Sequence, residues 1–473
     1  VTHSGSRLSI DYRNVMADAI GSEHGLTSAE LDAIAPRVSS EHQRIRAEHA
    51  AGEQKWFDLP DDLGLADTIT AFAREVSATY DDYLLIGIGG SSLGAIATIQ
   101  AVAHPHRNLL PKDQRVGPRI FVLDNPDPEK VKATLETVDL SRTLVNVVTK
   151  SGQTAETMAN FLVVLEALEA AVGKERARAQ IVATTDRSSG LLRQLADEEG
   201  YRTFEVPQGV DGRQTVLSAV GMIPAALAGV DVHQLLAGAA AMRDRCLNPD
   251  LRENPAYLSA AINYLASTTR GKAMLVTMPY ADALYGISDW FRQLWAESLG
   301  KRHSVDGREV FAGQTPIKAL GAIDQHSQIQ LYTEGPNDKV VSIIRAGAYR
   351  ATVAIAEPPA SIDELAYLKR AELGQLLDRE AIATAWALTQ AHRPNYTITT
   401  PAIDAFAVGE FFFLYELQTV MGGALYGVNP FGQPGVEAGK NATYALMGRA
   451  GYESLRDELN AGSANDSPYV VRP

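Results

Sequence analysis

One cysteine in 473 residues, Cys246, leaves no partner for an intrachain disulfide and no thiolate cluster for a metal. The expected location is therefore a reducing cytoplasm. Basic charge is also scarce, with 43 Lys and Arg against 57 Asp and Glu, for a formal net charge of -14. This balance argues against a broad nucleic-acid or anionic-membrane surface. An anionic ligand would instead need a local pocket built from backbone N–H groups and a few basic side chains. Long apolar runs are missing as well. The most lipid-like stretch, Phe411-Phe-Phe-Leu-Tyr-Glu-Leu-Gln-Thr-Val-Met421, is broken by Glu416 and Gln418 and reads as a buried helix. The opening residues Val1 to Arg7 lack the apolar core of a signal peptide, so no export is expected. There is no internal repeat or low-complexity tract, and the tail from Ala461 onward reads as loosely held.

What remains is 45% hydrophobic residues in a long chain, enough for a large core divided into about two or three lobes. Residues from about 12 to 52 have helical spacing and form a helical arm. Short apolar runs follow at Tyr83–Ile88, Arg119–Leu123, Leu144–Val148 and Gln180–Ala183, separated by helix-length segments. This alternation predicts a parallel sheet covered by helices on both faces. A second lobe begins near 254, with strands expected at Ala273–Met278 and Val340–Arg345 and long helices at about 281–299, 362–391 and 403–422.

Two strand ends carry phosphate-binding chemistry. Leu84-Leu-Ile-Gly-Ile-Gly-Gly-Ser-Ser-Leu-Gly94 delivers glycines and hydroxyls to a helix start, where free N–H groups attract anions. Val147-Val-Thr-Lys-Ser-Gly-Gln-Thr-Ala-Glu-Thr157 repeats the arrangement with a lysine. Each could equally be an ordinary strand-to-helix turn with N-capping. Together they fit the two edges of one crevice at the carboxyl ends of neighbouring strands. A nucleotide suits them poorly. Gly87-x-Gly-x-x-Ser92 lacks the third glycine of the dinucleotide fingerprint and no P-loop occurs there, which leaves a phosphorylated small molecule. No His-x-x-x-His or cysteine cluster calls for a metal, and no cofactor is expected.

Further along, Gly212 bends the chain so that Arg213 either enters the crevice or faces solvent. Gln293 and Glu297, four apart, share one face of a helix rich in tryptophan, which makes a partly desolvated carboxylate plausible. His326 lies in a polar neighbourhood able to fix its tautomer. Pro434 opens the helix that carries Glu437 and Lys440, a pair that can also be read as a surface ion pair.

Taken in order, six segments resemble the glucose-6-phosphate isomerase family, which is built from two SIS-type sugar-phosphate domains. They are Ile86-Gly-Ile-Gly-Gly-Ser-Ser-Leu-Gly94, Thr149-Lys-Ser-Gly-Gln-Thr-Ala-Glu-Thr157, Gly212-Arg213, Gln293-Leu-Trp-Ala-Glu-Ser-Leu-Gly-Lys301, Asp324-Gln-His-Ser-Gln328 and Gln433-Pro-Gly-Val-Glu-Ala-Gly-Lys440. The resemblance implies that Gly90, Ser91, Thr149, Lys150, Ser151 and Thr154 hold the phosphate, and that Gly212, Gln293 and Gln433 position the sugar. It makes Glu297 the base that carries a proton between C1 and C2. Arg213 stabilises the enediol, and His326 and Lys440 assist ring opening. It further implies a homodimer in which His326 is contributed across the interface, a place in glycolysis and gluconeogenesis, and no cofactor. Three positions depart from the family pattern. Asp211 and Gln214 flank Gly212-Arg213 where a small and an aromatic residue are usual, and Gly432 stands where a polar residue generally precedes Gln433.

The fold class expected is α/β, with two SIS-type αβα sandwich domains with mainly parallel sheets plus helical terminal segments. The boundaries are 1–55 for the arm, 56–228 and 229–425 for the two domains, and 426–473 for a C-terminal loop, helix and tail. Two alternatives to the isomerase stand beside it: a dual-specificity enzyme that also accepts mannose 6-phosphate, and a non-catalytic SIS-type regulator. Glucosamine-6-phosphate synthase also has paired SIS-type domains, but its catalytic N-terminal cysteine is a role Cys246 cannot fill.

Overall fold

Strand Asp82–Ile86 is buried along its whole length, and its alternating residues serve two separate cores. Tyr83 and Leu85 point into a large central cluster, whereas Leu84 and Ile86 point into an outer one. A strand with two apolar faces must be covered on both, the situation of parallel sheets. It belongs to a five-stranded, all-parallel sheet with the order Arg119–Leu123, Asp82–Ile86, Thr143–Val148, Ile181–Thr185, Arg202–Glu205. The helix Ala155–Val172 closes the outer face with Phe161, Val164 and Leu168.

The second half repeats the design in a sheet ordered Ser9–Asp11, Asn395–Thr400, Lys339–Ala346, Met274–Pro279, Thr315–Lys318. Only the edge strand Ser9–Asp11 runs antiparallel to its neighbour. Leu275, Val340, Ile344, Tyr396 and Ile398 face the same central cluster as the first sheet, while Val276, Met278, Val341 and Ile343 face a third cluster. The two sheets thus share one core, filled by helices between them. The computed structural model describes residues 6–462 and 469–471. The expectations for the first five residues and for most of the tail beyond Ala461 lie outside these.

The helix Ala405–Tyr426 runs through that core, buried at every residue from Ala405 to Leu425. Phe291 stacks on Tyr415 with ring centroids 4.2 Å apart, and Trp290 meets Phe412 edge-on at 4.7 Å. Burial pushes the Glu416 carboxyl well above its usual range, because no charged partner offsets the loss of water around it. No helix among the described residues is long and apolar enough to cross a membrane.

Several strands differ from expectation. The segment read as a helical arm supplies the edge strand Ser9–Asp11 before its helix Ser28–Ala50 begins. Arg202–Glu205 and Thr315–Lys318 are also short edge strands, and Pro316 within the second fits an edge, where a missing N–H leaves no ladder bond unmade. The pattern at 362–391 resolves into a 3-10 turn, Asp363–Leu368, and the helix Leu373–Gln390.

Cys246 is 1% exposed, with its thiol 3.7 Å from Met242 Sδ, and burial pushes it up to about 12. A thiol reagent should leave the native protein unmodified and label one group per chain in denaturant. Rapid labelling of the folded protein would contradict this packing.

Candidate active site

The glycine-serine turn after strand Asp82–Ile86 is set by close approach. A Cβ on Gly90 would lie 2.2 Å from the Gly212 carbonyl, so only glycine lets the Gly89–Ser91 turn rest on the Gly212–Gln214 turn. Gly89 abuts the Gln293 amide in the same way. The helix Leu93–Val102 then starts at Ser92, which makes no side-chain cap. Ser91 is half-buried, and its hydroxyl makes no hydrogen bond among the described residues.

The second turn follows strand Thr143–Val148. Thr149 is buried, and its Oγ1 accepts from Gly152 N–H at 3.3 Å and lies 3.4 Å from Thr154 Oγ1. Thr154 occupies the N-cap position of Ala155–Val172 without a capping bond, so the N–H groups of this helix start keep their donors. Lys150 is exposed, and its Nζ donates to the Val210 carbonyl at 3.2 Å, bridging toward the Arg213 turn. Ser151 and Thr154 line a cavity of ≈ 690 Å3 together with Ile88, Val436, Lys440 and Tyr444. The helix Glu437–Leu446 is docked over this turn by the Tyr444 hydroxyl, which donates to the Gln153 carbonyl at 2.8 Å. Lys440 Nζ donates to Glu437 at 2.9 Å, both side chains being exposed.

Arg213 does not face solvent. It is 2% exposed, and each nitrogen of its fork donates to a fixed partner: Nε to Ser298 Oγ at 2.7 Å, Nη1 to Gln433 Oε1 at 3.0 Å, and Nη2 to the Pro430 carbonyl at 2.6 Å, which leaves the second N–H of Nη1 available. Burial pushes the guanidinium below its usual range, against the opposing pull of Asp211 and Glu297. Glu297 Oε2 lies 3.5 Å from Arg213 Nη1, and its Oε1 accepts from Gln293 Nε2 at 3.2 Å, the helical i, i+4 contact anticipated in the sequence. The carboxylate is 32% exposed, so a substrate can reach it. Lys301, one turn beyond, is buried. Its Nζ donates to the carbonyls of Glu297 at 2.6 Å and Gly432 at 2.9 Å, and burial, with Arg213 nearby, lowers it to about 8.

The cavity and the Arg213–Glu297 cluster adjoin twice. Ile88 lines the cavity and is followed by Gly89 against Gln293, while Gln433 binds Arg213 and is followed by the Pro434–Val436 turn, whose Val436 lines the cavity. His326, at the end of the turn Ile323–His326, is not brought to this group within the chain. It is exposed, and its ring makes no hydrogen bond or ion pair among the described residues.

The family model for phosphoglucose isomerase matches residues 70–458. The chain belongs to the phosphoglucose isomerase family. It is 43% identical over 454 residues to the glucose-6-phosphate isomerase of Carboxydothermus hydrogenoformans, an alignment covering 96% of this chain and 97% of that one. It is 44% identical over 450 residues to the enzyme of the same name from Rubrobacter xylanophilus, covering 94% and 99%. A crystal structure of a hypothetical protein from Thermus thermophilus is similar at a TM-score of 0.83 and 35% identity, over 93% of this chain and all of that one. The glucose-6-phosphate isomerase of Chlamydia trachomatis shares the fold at a TM-score of 0.74 and 24% identity, covering 87% of this chain and 78% of that one. All the candidate site residues fall inside the stretch matched by the family model.

Against this family frame, the structure adds groups that sequence reasoning left without a role. Ser298 and Lys301 lie inside the quoted 293–301 segment. Lys301 stands past the end of the helix Tyr285–Leu299, at the first residue of the short strand Lys301–His303, so its return to the Glu297 carbonyl follows from no helical spacing. The Pro430 and Gly432 carbonyls carry no sequence signal, because backbone acceptors exist at every position. Gln214, one of the departures, is buried at 3% exposure and does not border the open cavity.

Proposed function

We propose that this chain is an aldose-ketose isomerase interconverting glucose 6-phosphate and fructose 6-phosphate by ring opening and a cis-enediol. The observation that carries the detailed reading is the pairing of a reachable carboxylate, Glu297, with a buried guanidinium, Arg213, beside a hydroxyl-lined cavity. Ser91, Thr149, Ser151, Thr154 and the adjacent helix N–H groups hold the phosphate, with Lys150 adding positive charge. Glu297 takes the proton from one of C1 and C2 and returns it to the other, the same group acting as base and then acid. Arg213 keeps its charge under these conditions and meets the oxygen on which negative charge develops. Gln293 orients Glu297, Gln433 is oriented by Arg213, and both amides contact the sugar chain. Lys440 moves a proton at the ring oxygen during opening, aided by a histidine.

That histidine comes from a second copy. The proposal is a homodimer in which the partner subunit's His326 completes each site. His326 is exposed and lies in sequence between two exposed apolar residues, Ile323 and Leu331, which supports burial of this segment against another chain. The domain limits 56–228 and 229–425 are retained in this reading, since each span holds four or more strands of one sheet. The single buried thiol agrees with a cytoplasmic location.

The activity is tested by following fructose 6-phosphate in the presence of a chelator and assaying both aldose phosphates as products. Glucose 6-phosphate should form with chelator present. Binding without turnover would point to the regulator reading, and mannose 6-phosphate in comparable yield to dual specificity. The dimer is tested by mixing His326→Ala and Glu297→Gln chains, each inactive alone. Random reassociation should restore about a quarter of wild-type activity, because mixed dimers hold one intact site. No recovery on mixing, with exchange of chains verified, would place His326 in its own chain's site or in none.

A further inference from the structure

We infer that Asp211 is a positioning residue for this reaction, clamping the 430–433 loop onto the Arg213 guanidinium so that Gln433 and the charge of Arg213 meet the substrate in register. This rests on the isomerase reading. Two of the departures from the family pattern, Asp211 and Gly432, turn out to touch each other across 221 residues of chain: Asp211 Oδ2 accepts from the Gly432 N–H at 2.7 Å. The same oxygen lies 3.0 Å from Arg213 Nη2.

The Gly432 peptide is therefore held from both ends. Its N–H is bound by Asp211, and its carbonyl accepts from Lys301 Nζ at 2.9 Å and from Arg213 Nη2 at 3.3 Å. Gly432 has φ +66, a conformation that glycine adopts without cost, and this conformation presents its peptide to the three charged groups. The guanidinium has two working edges as a result. Nη2 is committed to Asp211 and the carbonyls of Pro430 and Gly432, and Nη1 is left for Gln433 and the space before Glu297. Where the pattern expects a polar side chain ahead of Gln433, this chain has none. The acceptor that fixes the loop comes instead from the opposite segment, and a charged acceptor makes the stronger bond to the N–H.

Asp211 touches neither the hydroxyl-lined cavity nor Glu297, so its removal should leave phosphate binding intact and disturb the chemical step. The test compares wild type, Asp211→Ala and Asp211→Asn for turnover of fructose 6-phosphate and for competitive inhibition by inorganic phosphate. Asp211→Ala should lower kcat about tenfold, with the phosphate inhibition constant and melting temperature unchanged. Asp211→Asn, whose amide oxygen can still accept from Gly432, should stay within about threefold of wild type. Wild-type kcat in Asp211→Ala would overturn the inference, as would equal losses in both variants or a loss accompanied by weakened phosphate inhibition and lowered melting. An inactive wild type would instead sink the isomerase reading itself.

Discussion

Replacing Glu297 with glutamine should lower kcat for fructose 6-phosphate by about a thousandfold or more while changing KM little, the upper range for removing a positioned general base. The amide keeps the shape and can still bond to Gln293, so packing is unaffected and the melting temperature should hold. What it cannot do is carry a proton. Its neighbours make the substitution clean: Oε1 meets a neutral amide and Oε2 lies 3.5 Å from Arg213, too long for a strong charged hydrogen bond. A kcat within about tenfold of wild type would contradict the assignment of Glu297 as the base.

Arg213→Lys is expected to lose about a hundredfold to a thousandfold in kcat and to destabilise the protein as well. Lysine keeps the charge but offers one nitrogen in place of a planar fork. It cannot satisfy Ser298, Gln433 and the carbonyls of Pro430 and Gly432 together, and these partners belong to segments far from Arg213 in sequence. Leaving such buried groups unpaired costs roughly 1–3 kcal/mol each before relaxation. Activity and melting temperature should therefore fall together, in contrast to Glu297→Gln. Wild-type melting in Arg213→Lys would mean that the fork is not what ties the 430–433 loop to the rest of the site.

These two residues mark the boundary of what the sequence makes legible. Glu297 and Gln293 are four apart on one helix, so their contact follows from helix geometry alone. The two turns proposed to hold phosphate are likewise local, each a strand end running into a helix start within about ten residues. Sequence alone does not decide between solvent and crevice for Arg213, because its burial depends on Ser298 and on residues 430–433, contacts that no local pattern encodes. The Asp211–Gly432 bond was hidden for the same reason. Nothing local at either position tells that one answers the other. Strand legibility followed burial: the all-apolar run within Asp82–Ile86 was evident, while short edge strands such as Ser9–Asp11 and Thr315–Lys318 offer too few alternations to register. His326 lies beyond both levels, since its role as proposed depends on a second chain.

The central claim is that one carboxylate moves a proton between C1 and C2. It is tested most directly by running the reaction from fructose 6-phosphate in deuterated water and measuring deuterium at C2 of the glucose 6-phosphate formed. Wild type should give product with deuterium at C2, because a proton held on Glu297 exchanges in part with solvent before its return, and Glu297→Gln should give neither product nor label at a comparable rate. Rapid product formation by Glu297→Gln with label still entering C2 would contradict the account.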